Sequence, residues 1–195
     1  VSDPDRRAEV SALWGVDVPE SPGMTYPMML DQVFEGKMRS LYMIGSDIAH
    51  TDPDNQRVQE ALSKLDLLIV QDIFMCESAK YAHVVLPAAS FLESDGTYTN
   101  GERRVQRIRK AIPPPGDAKE DWRIVSELAK VLGHPINNSD SVSDIWDEIA
   151  SLTPNFTGIS YDKLEDVEAI QWPAPEKEHP GTTVMHSEVF PRGLG

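Results

Sequence analysis

Three short apolar runs, uninterrupted by polar residues, constrain the fold more than any other feature of the chain. They occupy positions 41–44, 67–70 and 84–86. Between the first two, Val58, Ala61, Leu62 and Leu65 recur at the spacing of one helix face. Strand, helix and strand within about thirty residues indicate a right-handed parallel βαβ unit. Because the runs are continuous rather than alternating, we expect an α/β fold. Its parallel sheet would be flanked by helices on both faces in a three-layer, doubly wound-like arrangement.

The remaining elements follow from caps and helical periodicity. Thr25 is placed to cap a helix that runs to Phe34 and stops at Gly36, with Leu30, Val33 and Phe34 as its buried face. Asp52 followed by proline predicts the start of the crossover helix. A short helix is expected at 77–81, a loop at 88–101 and an extended segment at 103–110. Further amphipathic helices are predicted around 122–132 and 143–152, the second presenting Ile145, Ile149 and Leu152.

Composition excludes several classes of protein. The net charge of −14 argues against general nucleic-acid binding, because phosphate contacts need an excess of Lys and Arg. The single cysteine, Cys76, excludes an internal disulfide and a self-contained iron–sulfur or multi-cysteine zinc site, and it favours a cytoplasmic origin. No apolar stretch approaches about 18 residues, so no membrane span is expected. The first residue is Val1, and no signal peptide is visible, which favours a fragment of a longer chain.

Polar groups follow each predicted strand, at the edge where parallel sheets bind ligands. They comprise residues 45–47 (Gly-Ser-Asp), 71–72 (Gln-Asp) and 87–93, from Pro87 to Glu93. Backbone N–H groups in a glycine turn can approach a phosphate, and a carboxylate such as Asp72 can accept hydrogen bonds from a ribose or a guanine. The spacing equally fits Asp47 and Asp72 as caps of the turns that follow them. No dinucleotide or P-loop glycine motif occurs.

A second candidate feature is the basic segment 103–110, where five of the 18 Lys and Arg residues of the chain fall within eight positions. Beside a Gly/Thr/Asn-rich loop, these side chains would suit an anion cradle. Alternatively, they would protect an exposed edge strand from aggregation. The five histidines show no metal-ligand spacing, and Cys76 has no histidine nearby in sequence, so neither predicts a metal or a nucleophile site.

Several motifs, in order, resemble the molybdopterin oxidoreductase family and, within it, the alpha (catalytic) subunits of formate dehydrogenases. They are 41–47 (Leu-Tyr-Met-Ile-Gly-Ser-Asp), 69–75 (Ile-Val-Gln-Asp-Ile-Phe-Met), 84–88 (Val-Val-Leu-Pro-Ala), 93–106 (Glu-Ser-Asp-Gly-Thr-Tyr-Thr-Asn-Gly-Glu-Arg-Arg-Val-Gln), 179–182 (His-Pro-Gly-Thr) and 190–193 (Phe-Pro-Arg-Gly). The resemblance implies no catalytic or metal-binding residue in this chain. The expected cofactor-binding residues are Gly45, Asp47, Gln71, Asp72, Pro87, Glu93, Gly96, Thr97, Asn100, Glu102 and Arg103.

The resemblance also implies a parent enzyme larger than this chain. That parent carries molybdopterin guanine dinucleotide with Mo or W, and iron–sulfur clusters elsewhere. It oxidises formate to carbon dioxide and passes electrons to iron–sulfur or flavin subunits. Within it we expect an N-terminal arm or linker at 1–24, the cofactor-binding α/β domain at 25–168, and an extended tail at 169–195 with few internal contacts that leads to a missing domain. Alternatives are the large subunit of a related molybdopterin oxidoreductase or respiratory complex, and a non-catalytic nucleotide-binding scaffold.

Overall fold

The computed structural model describes residues 3–134 and 141–186. The helices are α1 (Pro4–Trp14), α2 (Tyr26–Phe34), α3 (Ile48–Thr51), α4 (Asn55–Ser63), α5 (Asp121–Val131), α6 (Val142–Leu152) and α7 (Tyr161–Asp166). The strands are β1 (Ser40–Ile44), β2 (Leu67–Asp72), β3 (Val84–Pro87), β4 (Gly96–Thr99), β5 (Arg104–Ile108) and β6 (Ala169–Gln171). Single 3₁₀ turns occupy Ser78–Tyr81 and Pro154–Phe156. No helix within these ranges is long and apolar enough to cross a membrane.

The first sheet is parallel, in the order β1-β2-β3, which confirms the predicted α/β fold with a helix-flanked parallel sheet. Met43 pairs with Val70, and Val70 pairs with Val85. Helices α3 and α4 form the crossover between β1 and β2. The predicted crossover face is buried, because Val58 and Leu62 are fully inaccessible and Leu65 is almost so.

The predicted cap of the crossover helix is wrong by one short turn. Asp52 ends α3, and its carboxylate accepts a hydrogen bond from the Asp54 N–H at 2.8 Å. The cap of α4 is Asp54, whose side chain accepts from the Arg57 N–H at 3.3 Å. The sequence predicted one acidic cap for the crossover helix. The structure has two acidic residues there, Asp52 and Asp54, because the short helix α3 precedes α4.

Helix α2 begins after Thr25 and ends before Gly36, as predicted, and Gly36 adopts the left-handed conformation with φ 69°. Leu30 and Val33 are buried. Phe34 is not, since 38% of it is exposed and its ring lies under the cations of Arg57 and Lys64. Helical spacing placed Phe34 on the apolar face, but the neighbouring basic side chains provide its contacts instead.

The parallel sheet buries its two faces unequally. Leu68 and Val70 point towards α2 and α4 and are fully buried. The alternate side chains on the opposite face include Ile44, Leu67 and Val84, which are 40–47% exposed. The apolar run of β2 looks continuous in sequence, yet its burial alternates from Leu67 to Val70 as the geometry of a strand requires.

A second, antiparallel sheet has the order β4-β5-β6. The segment 88–101, expected to be a loop, contains β4, so that expectation is wrong for Gly96–Thr99. The extended segment after Arg103 is confirmed as β5, but it is the central strand and not an exposed edge. The sequence Asn100-Gly101 between β4 and β5 is a hairpin signal that the loop interpretation overlooked.

The expectation that the tail makes few internal contacts is wrong for residues 169–186. Strand β6 pairs with β5, and Ala174 is fully buried in a second apolar cluster with Trp146 and Leu164. The Gly158 N–H donates to the Ala174 carbonyl at 2.7 Å. From Trp172 to His186 the tail is irregular, and the motif at 190–193 lies outside the described residues.

Two helices differ from their sequence-based descriptions. Helix α6 buries Trp146 and Ala150, whereas Ile149, expected on its apolar face, is 41% exposed. The segment 1–24, expected to be an arm or linker, contains α1, which Asp3 caps. Trp14 at the end of α1 donates to the Glu148 carboxylate of α6 at 2.9 Å.

The crossover helix yields the first prediction. Leu62→Ala should lower the free energy of unfolding by about 2–5 kcal/mol, because it leaves a cavity between α4 and the sheet. Urea unfolding of this chain measures the change. Leu132→Ala is the matched control, since Leu132 is 66% exposed. Equal losses in both variants would contradict the assignment of Leu62 to the core.

A second prediction tests the anchoring of the tail. A Cβ atom at Gly158 would lie 2.3 Å from the Glu176 carbonyl oxygen and 3.0 Å from that of Ala174. Gly158→Ala should therefore cost about 1–3 kcal/mol, because backbone must move to accept it. Gly23→Ala is the control, as a Cβ atom there would meet nothing within 4 Å. Identical urea midpoints would show that the tail does not pack on this loop.

Candidate functional site

Asp47, the last residue of the first polar group, holds the turn that follows β2. Its carboxylate accepts hydrogen bonds from the Ser78 N–H at 2.8 Å, the Ser78 hydroxyl at 2.7 Å and the Glu77 N–H at 3.2 Å. Burial raises the pKa of Asp47, but the hydrogen bonds from Ser78 and Glu77, with the charge of His50, outweigh it and lower the pKa below its ordinary value. Asp47 thus remains ionised and serves as a cap.

Gly45 and Gln71 are also bonded within the chain. Gly45 has φ 57°, which favours glycine, and its N–H donates to the Gln71 carbonyl at 2.9 Å. The Gln71 side chain is fully buried, accepts from the Tyr42 hydroxyl and donates to the Asp121 carboxylate. These groups therefore join β1, β2 and α5 to one another.

Asp72 and Pro87 end neighbouring strands and are paired in register. The Asp72 carboxylate accepts from the Phe74 N–H at 3.0 Å, which is a turn-capping bond. The Asp72 carbonyl accepts from the Ala88 N–H, and the Pro87 carbonyl accepts from the Lys119 N–H, both at 3.1 Å. The carboxyl edge of the sheet is thereby tied to the segment that precedes α5.

A buried glutamate, which the sequence analysis missed, joins this edge to the hairpin. Glu120 is 3% exposed, and its carboxylate accepts from the Asp95 N–H at 3.3 Å. The Arg123 guanidinium lies 2.8 Å from it and the Lys110 ammonium 3.6 Å away. The only sequence signal was its position directly before the predicted α5, which suggested a cap rather than a junction.

Glu93, Gly96 and Thr97 lie near this junction. The Glu93 carboxylate accepts from the Ser90 N–H at 2.8 Å, and the Glu93 N–H donates to the Ser90 carbonyl at 3.0 Å, so the loop after β3 is a closed turn. Gly96 and Thr97 begin β4 beside Asp95, whose N–H reaches Glu120. The structure thus brings these three residues towards the strand ends that carry Gln71 and Pro87.

Asn100, Glu102 and Arg103 lie at the opposite end of the hairpin, roughly 10 Å along β4. The Asn100 side chain accepts from the N–H groups of Glu102 and Arg104 and closes the turn. Arg103 adopts φ 66°, and its guanidinium donates to the carbonyls of Trp172 and Thr182. The hairpin tip therefore holds the tail. The predicted site residues fall into two groups, one at the carboxyl ends of the parallel strands and one at the hairpin tip, which comprises Asn100, Glu102 and Arg103.

Four of the five cations of the basic segment pair with carboxylates of the chain itself, and the fifth, Arg103, donates to backbone carbonyls. Arg104 pairs with Glu102, Lys110 with Glu120, and Arg109 with Glu165. Arg107 is 11% exposed in its side chain, pairs with Asp95 and Glu165, and lies over the Tyr161 ring at 4.6 Å. Burial raises the pKa of Tyr161 to about 12. The guanidinium of Arg107 in particular is occupied by partners within the chain.

Large apolar side chains, not singled out from the sequence, stand exposed at the carboxyl edge. Phe74 and Met75, after β2, are 73% and 71% exposed, and Phe91, after β3, is 60% exposed. No group of three or more His, Cys, Asp or Glu residues in 3–134 and 141–186 is arranged to hold a metal ion. The edge therefore offers apolar surface, and its polar groups are already hydrogen bonded.

Comparison with known proteins agrees with this fold. The structure matches the acetylene hydratase of Pelobacter acetylenicus with a TM-score of 0.63 at 18% identity, over 97% of this chain and 25% of that one. The likeness shows a shared fold. The sequence model of the molybdopterin oxidoreductase family matches residues 4–131. The chain belongs to the molybdopterin oxidoreductase family.

The similar curated proteins are much longer than this chain. It is 46% identical over 179 residues to the F420-dependent formate dehydrogenase subunit alpha of Methanocaldococcus jannaschii, which covers 91% of the chain and 26% of that subunit. It is 42% identical to a putative formate dehydrogenase of Staphylococcus haemolyticus, over 99% of the chain and 20% of that protein. The chain spans about a quarter or less of these relatives.

The residues at the strand ends fit part of a pterin dinucleotide. The exposed aromatic and thioether side chains suit a flat, polarisable ring system. The carboxylates of Asp47 and Asp72 are acceptors of the type that guanine and pterin N–H groups need. The arginines of β5, Arg104 and Arg107, do not suit the diphosphate, because both already pair with carboxylates of this chain.

Asp47 yields a pH-dependent prediction. Its folded pKa lies below the unfolded value of about 3.9, so its contribution to stability is complete above that value and is lost as the pH falls through the folded pKa. Asp47→Ala should cost about 1 kcal/mol at neutral pH, through loss of the cap. The difference from the parent chain should shrink as the pH falls below about 4. Asp117→Ala, at an exposed position, is the control, and a pH-independent cost at Asp47 would contradict the ionic cap.

Proposed function

We propose that this chain is a section of the catalytic (alpha) subunit of a formate dehydrogenase and forms part of its binding site for molybdopterin guanine dinucleotide. The observation that carries the proposal is the 40–46% identity, over most of the chain, to proteins named as formate dehydrogenase alpha subunits. The parent enzyme would oxidise formate to carbon dioxide, releasing one proton and two electrons. Iron–sulfur clusters elsewhere would carry the electrons to partner subunits, and the single cysteine of this section favours a cytoplasmic location.

In this proposal the bound cofactor, with Mo or W, supplies the two-electron redox chemistry. This chain contributes binding and positioning. The strand-edge group, which comprises Gly45, Asp47, Gln71, Asp72 and Pro87, would face the cofactor, while Glu93, Gly96 and Thr97 would flank it. Asn100, Glu102 and Arg103 would act indirectly, because their contacts hold the hairpin tip and the tail.

Two other functions remain in competition with this one. The acetylene hydratase likeness shows that the same fold serves an enzyme with a different name, so the fold alone does not select the reaction. The chain would then come from the large subunit of another molybdopterin oxidoreductase or of a respiratory complex. A non-catalytic nucleotide-binding scaffold is the alternative outside enzymes. Formate oxidation is preferred because two proteins named as F420-dependent formate dehydrogenase alpha subunits match 91% and 94% of this chain.

The test compares this chain with the full open reading frame that encodes it. The full subunit should contain Mo or W with a pterin and should reduce a viologen dye when formate is added. The 195-residue chain should show no such activity and no stoichiometric Mo, W or Fe, because it matches no metal-ligating segment of the family. Formate-dependent reduction by the purified chain, or a full subunit without pterin, would refute the proposal.

Within the full subunit, Asp72→Ala should lower the pterin content per protein, because the Phe74 turn and a candidate ring acceptor are both lost. Activity per bound metal should fall much less. Asp66→Ala is the matched control, since it removes an exposed carboxylate that pairs with Arg39 at the opposite edge of the sheet, directly before β2. If Asp72→Ala retains its pterin while its activity per metal collapses, the residue acts in the reaction and not in binding.

A further inference from the structure

The hairpin tip contains an asparagine that is followed by glycine. Asn100 precedes Gly101, whereas the other four asparagines precede glutamine, asparagine, serine or phenylalanine. The Cγ atom of Asn100 is separated from the Gly101 nitrogen only by Cβ, Cα and the main-chain carbonyl carbon. Because glycine has no side chain to obstruct the approach, rotation about single bonds brings this nitrogen against Cγ. The order of the two residues therefore places a nucleophile beside an amide carbonyl.

The fold adds two hydrogen-bond donors to that carbonyl. The Asn100 Oδ1 atom accepts the Glu102 N–H at 2.9 Å and the Arg104 N–H at 3.0 Å. When a nucleophile adds to Cγ, negative charge develops on Oδ1, and fixed backbone donors stabilise a charge of this kind. These N–H groups need not reorient to do so, because the hairpin already holds them. The native turn thus polarises the Asn100 side chain for attack.

The attacking nitrogen is not engaged in the turn. Within residues 3–134 and 141–186, the Gly101 N–H donates to no acceptor. The turn is closed by other bonds, since the Arg103 N–H donates to the Asn100 carbonyl at 3.0 Å and the Asn100 N–H donates to the Arg104 carbonyl at 3.1 Å. Asn100 and Gly101 are both exposed. Water can therefore remove the Gly101 proton without breaking a hydrogen bond of the hairpin.

We propose that Asn100 is a site of spontaneous deamidation, and that its isomerisation releases the tail from the hairpin tip. The Gly101 nitrogen loses its proton and bonds to Asn100 Cγ, the Cγ–Nδ2 bond breaks, and Nδ2 leaves as ammonia with a proton in place of the one lost. Water then opens the succinimide ring. Cleavage between the Gly101 nitrogen and Cγ yields aspartate, and cleavage between that nitrogen and the main-chain carbonyl carbon yields isoaspartate. The net reaction consumes water and releases ammonia, with no oxidant or reductant.

The two products differ in their effect on the hairpin tip. Aspartate keeps a side-chain acceptor for the N–H groups of Glu102 and Arg104, so the turn survives. Isoaspartate routes the main chain through the former side chain, which lengthens the turn by one methylene group. The bonds that close a hairpin depend on the length of its loop. Isoaspartate at this position therefore opens the turn. The inference is independent of the proposed function, because it needs only atoms of the hairpin and the tail.

The contacts that hold the tail depend on the shape of this turn. Arg103 adopts φ 66°, which is uncommon outside glycine, and its guanidinium donates to the carbonyls of Trp172 and Thr182. The Glu102 carbonyl accepts from the Gln171 side chain at 3.0 Å, and the Arg103 carbonyl accepts the Trp172 N–H at 3.1 Å. An opened turn no longer holds Arg103 in that conformation. These bonds to the tail should therefore be lost together.

The first measurement follows deamidation of the full-length subunit by peptide mapping and mass spectrometry during incubation at neutral pH. Asn100 should gain the mass of an amide-to-acid conversion faster than Asn55 and Asn155, and isoaspartate should appear in the same peptide. Gly101→Ala should slow the conversion severalfold, because its methyl group hinders the approach to Cγ. This variant should keep the fold, since a Cβ atom at Gly101 would meet nothing within 4 Å.

A parallel incubation in urea separates the effect of the fold from that of the Asn-Gly sequence. Unfolding removes both backbone donors from Oδ1, so Asn100 should convert at least as fast in the native subunit as in urea. Slower conversion in the native subunit would show that the hairpin, or the rest of the subunit around it, protects Asn100. That result overturns the proposal, as does native conversion no faster than that of Asn155.

Limited digestion with trypsin tests the release of the tail, through the rate of cleavage after Lys177, an exposed tail residue. Subunit that has accumulated isoaspartate should be cut there several times faster than fresh subunit, because loosened segments are preferred sites of proteolysis. Freshly purified Asn100→Asp is the matched control. It should be cut at the wild-type rate, because it keeps the side-chain acceptor. Equal cleavage of the isoaspartate-rich and the fresh subunit overturns the release of the tail.

Discussion

The buried carboxylate of Glu120 is the contact on which the assembly of this chain depends. It receives the N–H that precedes β4, the guanidinium of Arg123 on α5 and the ammonium of Lys110 after β5. The adjacent residue, Asp121, accepts the Gln71 amide from the centre of the parallel sheet. One short segment thus connects both sheets. Loss of the Asp121 carboxylate would leave the buried Gln71 amide without its partner, which costs far more than an exposed pair contributes. Lys110 and Arg123, the cations beside Glu120, are partly exposed to solvent.

This junction explains why the residues at the strand ends are hydrogen bonded to the chain itself. Asp47 and Asp72 were candidate ligand groups, and the geometry shows both as caps, of the turn at Ser78 and the turn at Phe74. Capping and binding are not exclusive, because an ionised carboxylate has more acceptor positions than these bonds use. The caps give the loops fixed shapes, and these loops present the largest apolar side chains of the edge.

Charge is organised differently from what the sequence suggested. A cluster of five basic residues in a chain of net charge −14 invites an anion-binding interpretation. In the fold, β5 is a central strand, and its arginines, Arg104 and Arg107, pair with Glu102, Asp95 and Glu165. The guanidinium of Arg107 is largely buried between Asp95, Glu165 and the Tyr161 ring. These cations stabilise the antiparallel sheet and the packing of α7 on it.

The sequence by itself determined the parallel sheet, its crossover and the family. Uninterrupted apolar runs and one helical face leave few ways to bury Leu62, Leu68 and Val70. Thr25 and Gly36 flank α2 as predicted, although the Thr25 side chain makes no capping hydrogen bond. Only the tertiary structure decided the second sheet and the roles of Glu120 and Arg103. Their partners, at Asp95 and at Trp172, lie 25 and 69 residues away, and no local pattern encodes a contact over such a separation. The pairing of β6 with β5 and the exposure of Phe74 depend likewise on which distant segment arrives to cover a surface.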